Sequence, residues 1–328
     1  MKKVNILMCT YNGEKYLREQ IDSIIDQTYE NISLFIRDDG SNDITLGIIH
    51  EYTDRYPEKV HFLDSEKHLG YPGCFWDILA KCPPADYYAF SDQDDIWDER
   101  KIEYAVDKLT DFESNLTNKK GIDIEGEKKQ QKIGENGNIP LLYIHDSTIC
   151  DKDGNTIGEH RLSSFGELKY NNIIFYNIAE GFSMVINNPM RDALLGGDDF
   201  SRTIPHDQWT IWTAFFRGNI VYDSRLLAKY RRHEDTVTIT GGGRTSLIKS
   251  WIQNEIFGTW FHSLCKRILY LTEFNKEYMT DGQYNDLRML AGDSSRGNYF
   301  KRLFYAKRLR PSIGGELALR INFLLGKK

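Results

Sequence analysis

Four short apolar runs alternate with amphipathic segments between residues 4 and 91, and this alternation limits the fold more than any other feature. The runs are 4–9, 33–37, 60–63 and 87–91. After the first run, apolar side chains recur at helical spacing at Leu17, Ile21, Ile24 and Ile25, which predicts a helix with one buried face. Strands that alternate with helices are typical of a parallel sheet with right-handed crossovers. The sequence therefore predicts an α/β fold with a doubly wound, mostly parallel sheet and flanking helices.

Polar clusters follow three of these runs, at residues 10–12, 38–39 and 92–95. In doubly wound sheets, ligands bind at the carboxyl ends of the strands. The third cluster carries Asp92, Asp94 and Asp95. Adjacent carboxylates repel one another and need an opposite charge, and Mg²⁺ is commonly held by one or two carboxylates together with substrate phosphates. A solvated turn that caps the helix beginning near Trp97 is the alternative interpretation.

Composition excludes several classes of protein. The chain has 328 residues, a formal net charge of −6 and a pI near 5.8, which argues against a nucleic-acid binder. Its five cysteines show no metal-binding or disulfide spacing, so a reduced cytoplasm is expected. No apolar run reaches the length of about 20 residues that a transmembrane helix needs, and the first apolar run is too short for a signal peptide.

Two changes of composition suggest the domain organisation. Residues 113–140 are rich in Asn, Lys, Gly, Glu and Gln and have almost no apolar periodicity, which predicts a polar surface insertion. Beyond about residue 245 the pattern becomes helical and increasingly basic. We therefore predict a catalytic domain over 1–244 and a basic helical C-terminal region over 245–328.

An ordered set of motifs resembles the family 2 nucleotide-sugar glycosyltransferases, whose α/β fold is called GT-A. The matching segments are 9–12 (CTYN), 37–41 (RDDGS), 90–97 (FSDQDDIW), 181–184 (GFSM), 206–207 (HD) and 230–233 (YRRH). The resemblance covers roughly residues 3–240. The SDQDDIW variant is most similar to bacterial rhamnosyltransferase-type members that build surface polysaccharides.

The resemblance implies a binding site for a pyrimidine nucleotide. Thr10 and Tyr11 would line the base pocket, and Asp39 would accept a hydrogen bond from the ring N–H, with Asp38 as the alternative. An ionised carboxylate only accepts hydrogen bonds, so it suits that N–H. The competing interpretations are ordinary packing for Tyr11 and a turn role beside Gly40 for Asp38.

The resemblance also implies a divalent cation, Mn²⁺ or Mg²⁺. Asp94 would bind the metal, and Asp92 would reach it through water or contact the donor ribose. His233 would complete the metal site or contact the diphosphate, while Arg231 would hold phosphate oxygens. Asp95 is assigned to the turn. A basic surface turn is the alternative for Arg231 and His233.

Asp207 matches the catalytic base of the family. An inverting transfer needs a carboxylate that takes the proton of the acceptor hydroxyl, and a helix N-terminus keeps a carboxylate ionised. The alternative is an N-cap role for Asp207, with Asp198 and Asp199 as fallback bases. Gly181 would lie under the acceptor sugar, and Trp209 is a weaker candidate for stacking on it.

The C-terminal segment is basic and amphipathic. Residues 296–328 contain nine basic residues and one acid, Glu316, interleaved with apolar positions. Such a segment suits the anionic inner face of a membrane. A helical pair that packs on the catalytic domain or mediates dimerisation is the alternative.

Together with the resemblance, these features imply an inverting, metal-dependent glycosyltransferase in the cytoplasm, with a peripheral position on the inner face of the cell membrane as the further option. It would move a sugar from a pyrimidine nucleotide donor to a saccharide acceptor during surface polysaccharide synthesis. We expect this acceptor to be linked to a lipid. dTDP-rhamnose is the favoured donor and UDP-hexoses come next. A nucleotidyltransferase and a non-catalytic carbohydrate-binding protein are the alternatives.

Overall fold

The structure is a computed structural model that describes residues 1–65, 67–118, 139–162, 169–233, 260–292, 296–310 and 312–325. The chain divides into two compact units. The first contains the described parts of 1–124, 132–164 and 179–233, and the second those of 165–178 and 234–328.

The first half of the first unit has the alternating pattern that the sequence predicts. Its elements are β1 (Val4–Thr10), α1 (Leu17–Ile25), β2 (Ile32–Asp38), α2 (Thr45–Arg55), β3 (Val60–Phe62), α3 (Gly73–Lys81) and β4 (Tyr87–Ser91). Every residue of β1, β2 and β4 is buried, as expected for strands covered by helices on both faces. On α1, Leu17, Ile21 and Ile24 face this core and are fully buried.

The rest of the first unit extends the sheet. In chain order the elements are β5 (Ile96–Trp97), α4 (Lys101–Asn118), β6 (Leu141–Cys150), β7 (Thr156–His160), α5 (Tyr170–Ile173) of the second unit, β8 (Met184–Asn187), α6 (Asn188–Leu195), α7 (His206–Arg217) and β9 (Asn219–Arg231). The predicted insertion is wrong at its edges, because residues 113–118 continue α4 and 139–140 lead into β6. Residues 119–138 lie outside the described part of the chain.

The strands form one mixed sheet in the order β3-β2-β1-β4-β8-β6-β9-β5, with β7 beside β6. Strands β3, β2, β1 and β4 are mutually parallel, while β8 is antiparallel to both β4 and β6. The register pairs Thr10 with Asp38, and Met8 with Ser91. The carboxyl ends of β1, β2 and β4 therefore meet at one edge, where the predicted polar clusters lie.

The second unit is helical, so a helical C-terminal region is present as predicted. Its longer helices are α8 (Trp260–Phe274), α9 (Asp281–Ala291), α10 (Arg296–Leu303) and α11 (Ile313–Leu325). Thr280 begins α9 with a capping box, in which its side chain and that of Gln283 exchange hydrogen bonds with backbone N–H groups. Among the described residues, no helix is both long enough and apolar enough to cross a membrane.

Candidate active site

Asp38 holds the turn that follows β2. One carboxylate oxygen accepts from the Thr10 hydroxyl at 2.8 Å and the Ser41 hydroxyl at 2.5 Å. The other accepts from the backbone N–H groups of Gly40 at 3.0 Å and Ser41 at 2.7 Å. Asp38 therefore has the turn role that was its alternative interpretation. Thr10 is almost fully buried at 1% exposure and supports this turn.

Asp39 ties the end of β2 to the loop that follows β3. Its carboxylate accepts from Arg37 Nη1 at 2.5 Å and from the backbone N–H groups of Leu69 at 2.8 Å and Gly70 at 2.7 Å. Burial raises the pKa of Asp39, but these donors outweigh it and lower the pKa below its usual value. The structure thus gives Asp39 a loop-holding task, and its contact with a nucleotide base stays a prediction.

Tyr11 and His68 form the exposed wall next to Asp39. The Tyr11 residue is 49% exposed, and its ring centroid lies 5.4 Å from that of His68. His68 Nδ1 lies 3.1 Å from Asp39 Oδ2. Sequence reasoning missed His68, although the signal was available: it follows the third strand, at the same sheet edge as the three clusters that were noted.

Gln93 connects the turn at Tyr11, residues 10–13, to the loop of residues 92–95, which we call the acidic loop. The backbone N–H of Tyr11 donates to Gln93 Oε1 at 2.9 Å, and Gln93 Nε2 donates to the Tyr11 carbonyl at 3.1 Å. Residues 10–13 and 92–95 therefore act as one connected edge, which brings the predicted base pocket next to the predicted metal loop.

Asp92 lies in a strongly negative environment. Burial, then the charges of Asp94, Asp207 and Glu180, raise its pKa to about 7, although Lys101 opposes the shift. The predicted base Asp207 and the predicted metal ligands Asp92 and Asp94 therefore share one electrostatic site. Such a cluster attracts a cation.

The residues predicted to bind a metal partly converge. His233 Nε2 and Asp94 Oδ2 lie 2.8 Å apart, and Asp92 interacts electrostatically with Asp94. Within the described residues, no group of three or more His, Cys, Asp or Glu side chains is arranged as a complete metal site. Two carboxylates and one imidazole nevertheless fit a cation that completes its shell with substrate phosphates and water.

Arg231 and Asp95 support the acidic loop from behind. The Arg231 side chain donates to the Asp94 carbonyl at 2.9 Å, the Lys152 carbonyl at 2.8 Å and the Glu19 carboxylate at 2.5 Å. Asp95 is fully buried and accepts from the Arg231 backbone N–H at 3.2 Å. Because Arg231 is only 2% exposed, its predicted phosphate contact is replaced by this support role. Asp95 belongs to the turn, as predicted.

Asp207 lies in the first turn of α7, where its Oδ1 accepts from the Gln208 backbone N–H at 2.7 Å. Pro205, not Asp207, occupies the N-cap position. The Tyr71 hydroxyl lies 3.4 Å from Asp207 Oδ1. Burial, then the charges of Asp207 and Asp92, raise the pKa of Tyr71, so its hydroxyl stays protonated and donates. Sequence reasoning missed Tyr71, which also lies in the loop after β3.

Gly181 is packed against the residue that precedes Asp207. A Cβ added to Gly181 would lie 2.2 Å from His206 Nε2. The His206 ring is held by Phe75, with ring centroids 4.1 Å apart, and by Phe90 at 4.8 Å. Gly181 therefore has a structural reason to lack a side chain, and its predicted place beneath an acceptor sugar stays a prediction.

Lys101 joins the acidic loop to the Gly181 segment. Its ammonium is fully buried, donates to the Phe182 carbonyl at 2.6 Å and lies 3.2 Å from the centroid of the Trp97 ring. Burial lowers the pKa of Lys101, whereas Asp95 and Asp92 oppose that shift. No sequence signal marked this lysine, because its burial depends on a partner 81 residues away.

Trp209 does not belong to this site surface. It is fully buried, so it presents no ring face to a sugar and its predicted acceptor contact is wrong. Aromatic residues at helical spacing more often fill a core, and α7 follows that rule.

A family model described as Glycosyl transferase family 2 matches residues 5–165. An uncharacterised glycosyltransferase of Haemophilus influenzae is 28% identical over 265 residues, which are 77% of this chain and 70% of that protein. The dTDP-rhamnosyl transferase RfbG of Shigella flexneri is 45% identical over 105 residues, which are 31% of this chain and 36% of that protein. The match thus covers about a third of the length of RfbG.

Among solved structures, residues 1–349 of Staphylococcus aureus TarS, in complex with UDP-GlcNAc, resemble this chain with a TM-score of 0.55. The likeness covers 99% of this chain and 92% of that one at 14% sequence identity. At that identity it bears on the fold alone, and it confirms the predicted GT-A-like arrangement of a sheet with flanking helices.

Proposed function

This chain belongs to glycosyl transferase family 2 and is a glycosyltransferase, and from that premise we propose that it is an inverting, metal-dependent enzyme of surface polysaccharide synthesis. It moves a sugar from a pyrimidine nucleotide donor to a saccharide acceptor carried on a lipid. The main support for the proposal is that Asp207 lies close to the acidic loop. The charges of Asp94, Asp207 and Glu180 all raise the pKa of Asp92, so these carboxylates lie close enough to Asp92 to act on one bound cation.

In this proposal Asp207 takes the proton of the attacking acceptor hydroxyl. Its carboxylate is fixed at the first turn of α7 by the Gln208 backbone N–H and the Tyr71 hydroxyl. The backbone there places the carboxylate with little freedom, and positioned general bases contribute about 10²–10⁴-fold to rate. Tyr71 orients the carboxylate that receives the proton.

Asp92, Asp94 and His233 would hold a divalent cation. When bound, such an ion would supply positive charge that stabilises the leaving nucleoside diphosphate. The two carboxylates would offer oxygen ligands and His233 a nitrogen ligand. Arg231 keeps the Asp94 backbone in place through its 2.9 Å bond to the Asp94 carbonyl.

The donor pocket lies at the ends of β1 and β2. Tyr11 and His68 offer two adjacent rings, which suit stacking on a flat base. The similarity to a dTDP-rhamnosyl transferase over 105 residues favours dTDP-rhamnose. UDP-hexoses are the second choice.

The test measures nucleoside diphosphate release from a panel of dTDP-, UDP- and GDP-sugars with Mn²⁺ or Mg²⁺ and an oligosaccharide acceptor. We expect release from dTDP-rhamnose and a loss of about 10²-fold or more for Asp207→Asn. Asp111→Asn is the matched control, because Asp111 is an exposed carboxylate in α4 with no assigned role in the site. Absence of release from every donor, or equal losses in both variants, would contradict the proposal. Preferential release of UDP would overturn only the choice of donor.

A further inference from the structure

Helix α11 carries a largely exposed apolar stripe, defined as Ile313, Leu317, Ile321, Leu324 and Leu325, of which Ile321 is partly buried. Ile313 is 81% exposed, and Leu317, Leu324 and Leu325 are each more than half exposed. At 3.6 residues per turn these positions fall within an arc of about 120°. They therefore form one continuous face of the helix.

The other side of α11 is packed. Ala318, Leu319, Asn322 and Phe323 are fully buried. The Phe323 ring lies 5.6 Å from that of Phe261 in α8. Hence α11 is a folded part of the second unit, and the exposed stripe is not the consequence of an undocked helix.

Helix α10 and the turn after it add two exposed aromatic side chains four residues apart, Phe300 at 67% and Phe304 at 75% exposure. Arg320 of α11 fastens the two helices together. Its guanidinium donates to the carbonyls of Arg302 at 2.7 Å, Leu303 at 3.1 Å and Lys307 at 3.0 Å. The aromatic pair and the α11 stripe therefore belong to one fixed helix pair.

The exposed charge of this helix pair is positive. Residues 296–325 contain seven basic residues and one acid, while the whole chain has a net charge of −6. That acid, Glu316, accepts from the backbone N–H groups of Leu309 and Arg310 and pairs with Arg320 at 2.6 Å. Lys301, Lys307 and Arg308 are exposed. The segment that contains α10 and α11 therefore presents both apolar and basic side chains to solvent.

We infer that α10 and α11 dock this protein on the surface of a bilayer that contains anionic lipid. Helices that combine aromatic and leucine side chains with Lys and Arg lie in the headgroup boundary, and each basic group there is attracted to anionic lipid. A protein partner fits less well, because the cores of protein interfaces are depleted in lysine. The inference needs no catalytic activity and stands apart from the proposed function.

The test is co-sedimentation of the full chain with vesicles of phosphatidylcholine alone and of phosphatidylcholine mixed with phosphatidylglycerol. We expect binding to the anionic vesicles, weakened by high salt. Lys301→Gln should weaken binding about fivefold, from the loss of one basic group at the surface. Phe304→Ser, and separately Leu317→Ser, should weaken it about tenfold each through the lost burial of apolar surface.

Ile157→Ser is the matched control, because Ile157 lies in β7 and is 62% exposed. It should leave vesicle binding unchanged, and thermal melting should show that every variant is folded. Equal binding to both vesicle types, or an equal loss in the control, would overturn the inference. Light scattering provides a second check. If the wild-type chain forms an oligomer and does not bind vesicles, and if Phe304→Ser dissociates that oligomer, then this face joins copies of the chain and the inference is overturned.

Discussion

Replacing Gly181 by Ala should damage this protein through His206. The new Cβ would lie 2.2 Å from Nε2, 2.9 Å from Cε1 and 3.3 Å from Cδ2 of that ring. Atoms in van der Waals contact are about 3.5 Å or more apart, so the imidazole must move by more than about 1 Å. Phe75, Phe90 and Tyr71 surround the ring, and His206 is only 2% exposed.

The expected penalty in the free energy of unfolding is about 1–3 kcal/mol, the usual range for overpacking a core. Asp207 follows His206 in α7, so a displaced ring also moves the proposed base. Misplacement by about 1 Å can reduce turnover about 10²-fold. We expect that loss in kcat, with little change in KM for the donor, together with a lower midpoint in urea unfolding.

Two further variants test whether the clash with His206 is the cause. Gly47→Ala is the control, because a Cβ there meets nothing within 4 Å and alanine favours the helix by up to about 1 kcal/mol. In the Gly181→Ala background, His206→Ala should be much less harmful than in the wild type, because it removes the clash. The reasoning is refuted if the effects of Gly181→Ala and His206→Ala on stability simply add, or if Gly181→Ala matches the wild type in both stability and kcat.

Three other predictions concern the same region. Tyr71→Phe should lower kcat about tenfold without raising KM, and should have no further effect in an Asp207→Asn background, as measured by a double-mutant cycle. Asp39→Asn should destabilise the fold by about 1–3 kcal/mol in urea unfolding, because it weakens the hydrogen bonds from Arg37, Leu69 and Gly70 while Asp77 still pairs with Arg37; an unchanged midpoint would contradict this. Burial lowers the pKa of His206 to about 4, so below pH 6.5 the unfolded chain binds a proton that the folded chain excludes. The free energy of unfolding should therefore decrease as the pH is lowered from 6.5 to 4, by about 2 kcal/mol at pH 5. His206→Leu should make this dependence weaker in unfolding curves recorded at each pH.

The strands of the first half were predictable because their signal is local. Each apolar run and each helix face is visible within about ten residues, and the carboxyl ends of parallel strands must share an edge. In the second half, local runs carried no signal for the direction or the partners of the strands. Strand β8 pairs antiparallel with β4 and β6, and a short apolar run such as 184–187 is compatible with either strand direction. Its neighbours were decided by packing over long sequence separations.

The roles of individual site residues were less predictable than the location of the site. Asp38 and Asp39 are chemically identical neighbours, yet one closes its own turn while the other holds Leu69 and Gly70. That division depends on a loop about thirty residues further along the chain. Arg231 is typical of a phosphate ligand in sequence, but its side chain faces the Asp94 carbonyl. Motifs identify the edge of the sheet, and only packing assigns each side chain.

The acidic loop also explains how a folded protein can hold so many carboxylates together. Asp95 accepts the backbone N–H of Arg231, and Lys101 opposes the upward pKa shifts of both Asp92 and Asp95. That compensation is incomplete, because burial lowers the pKa of Lys101 itself and the pKa of Asp92 still rises to about 7. The loop is therefore supported well enough to fold but retains an excess of negative charge. This charge would repel a donor diphosphate that arrived alone, so it favours binding of the diphosphate together with a divalent cation.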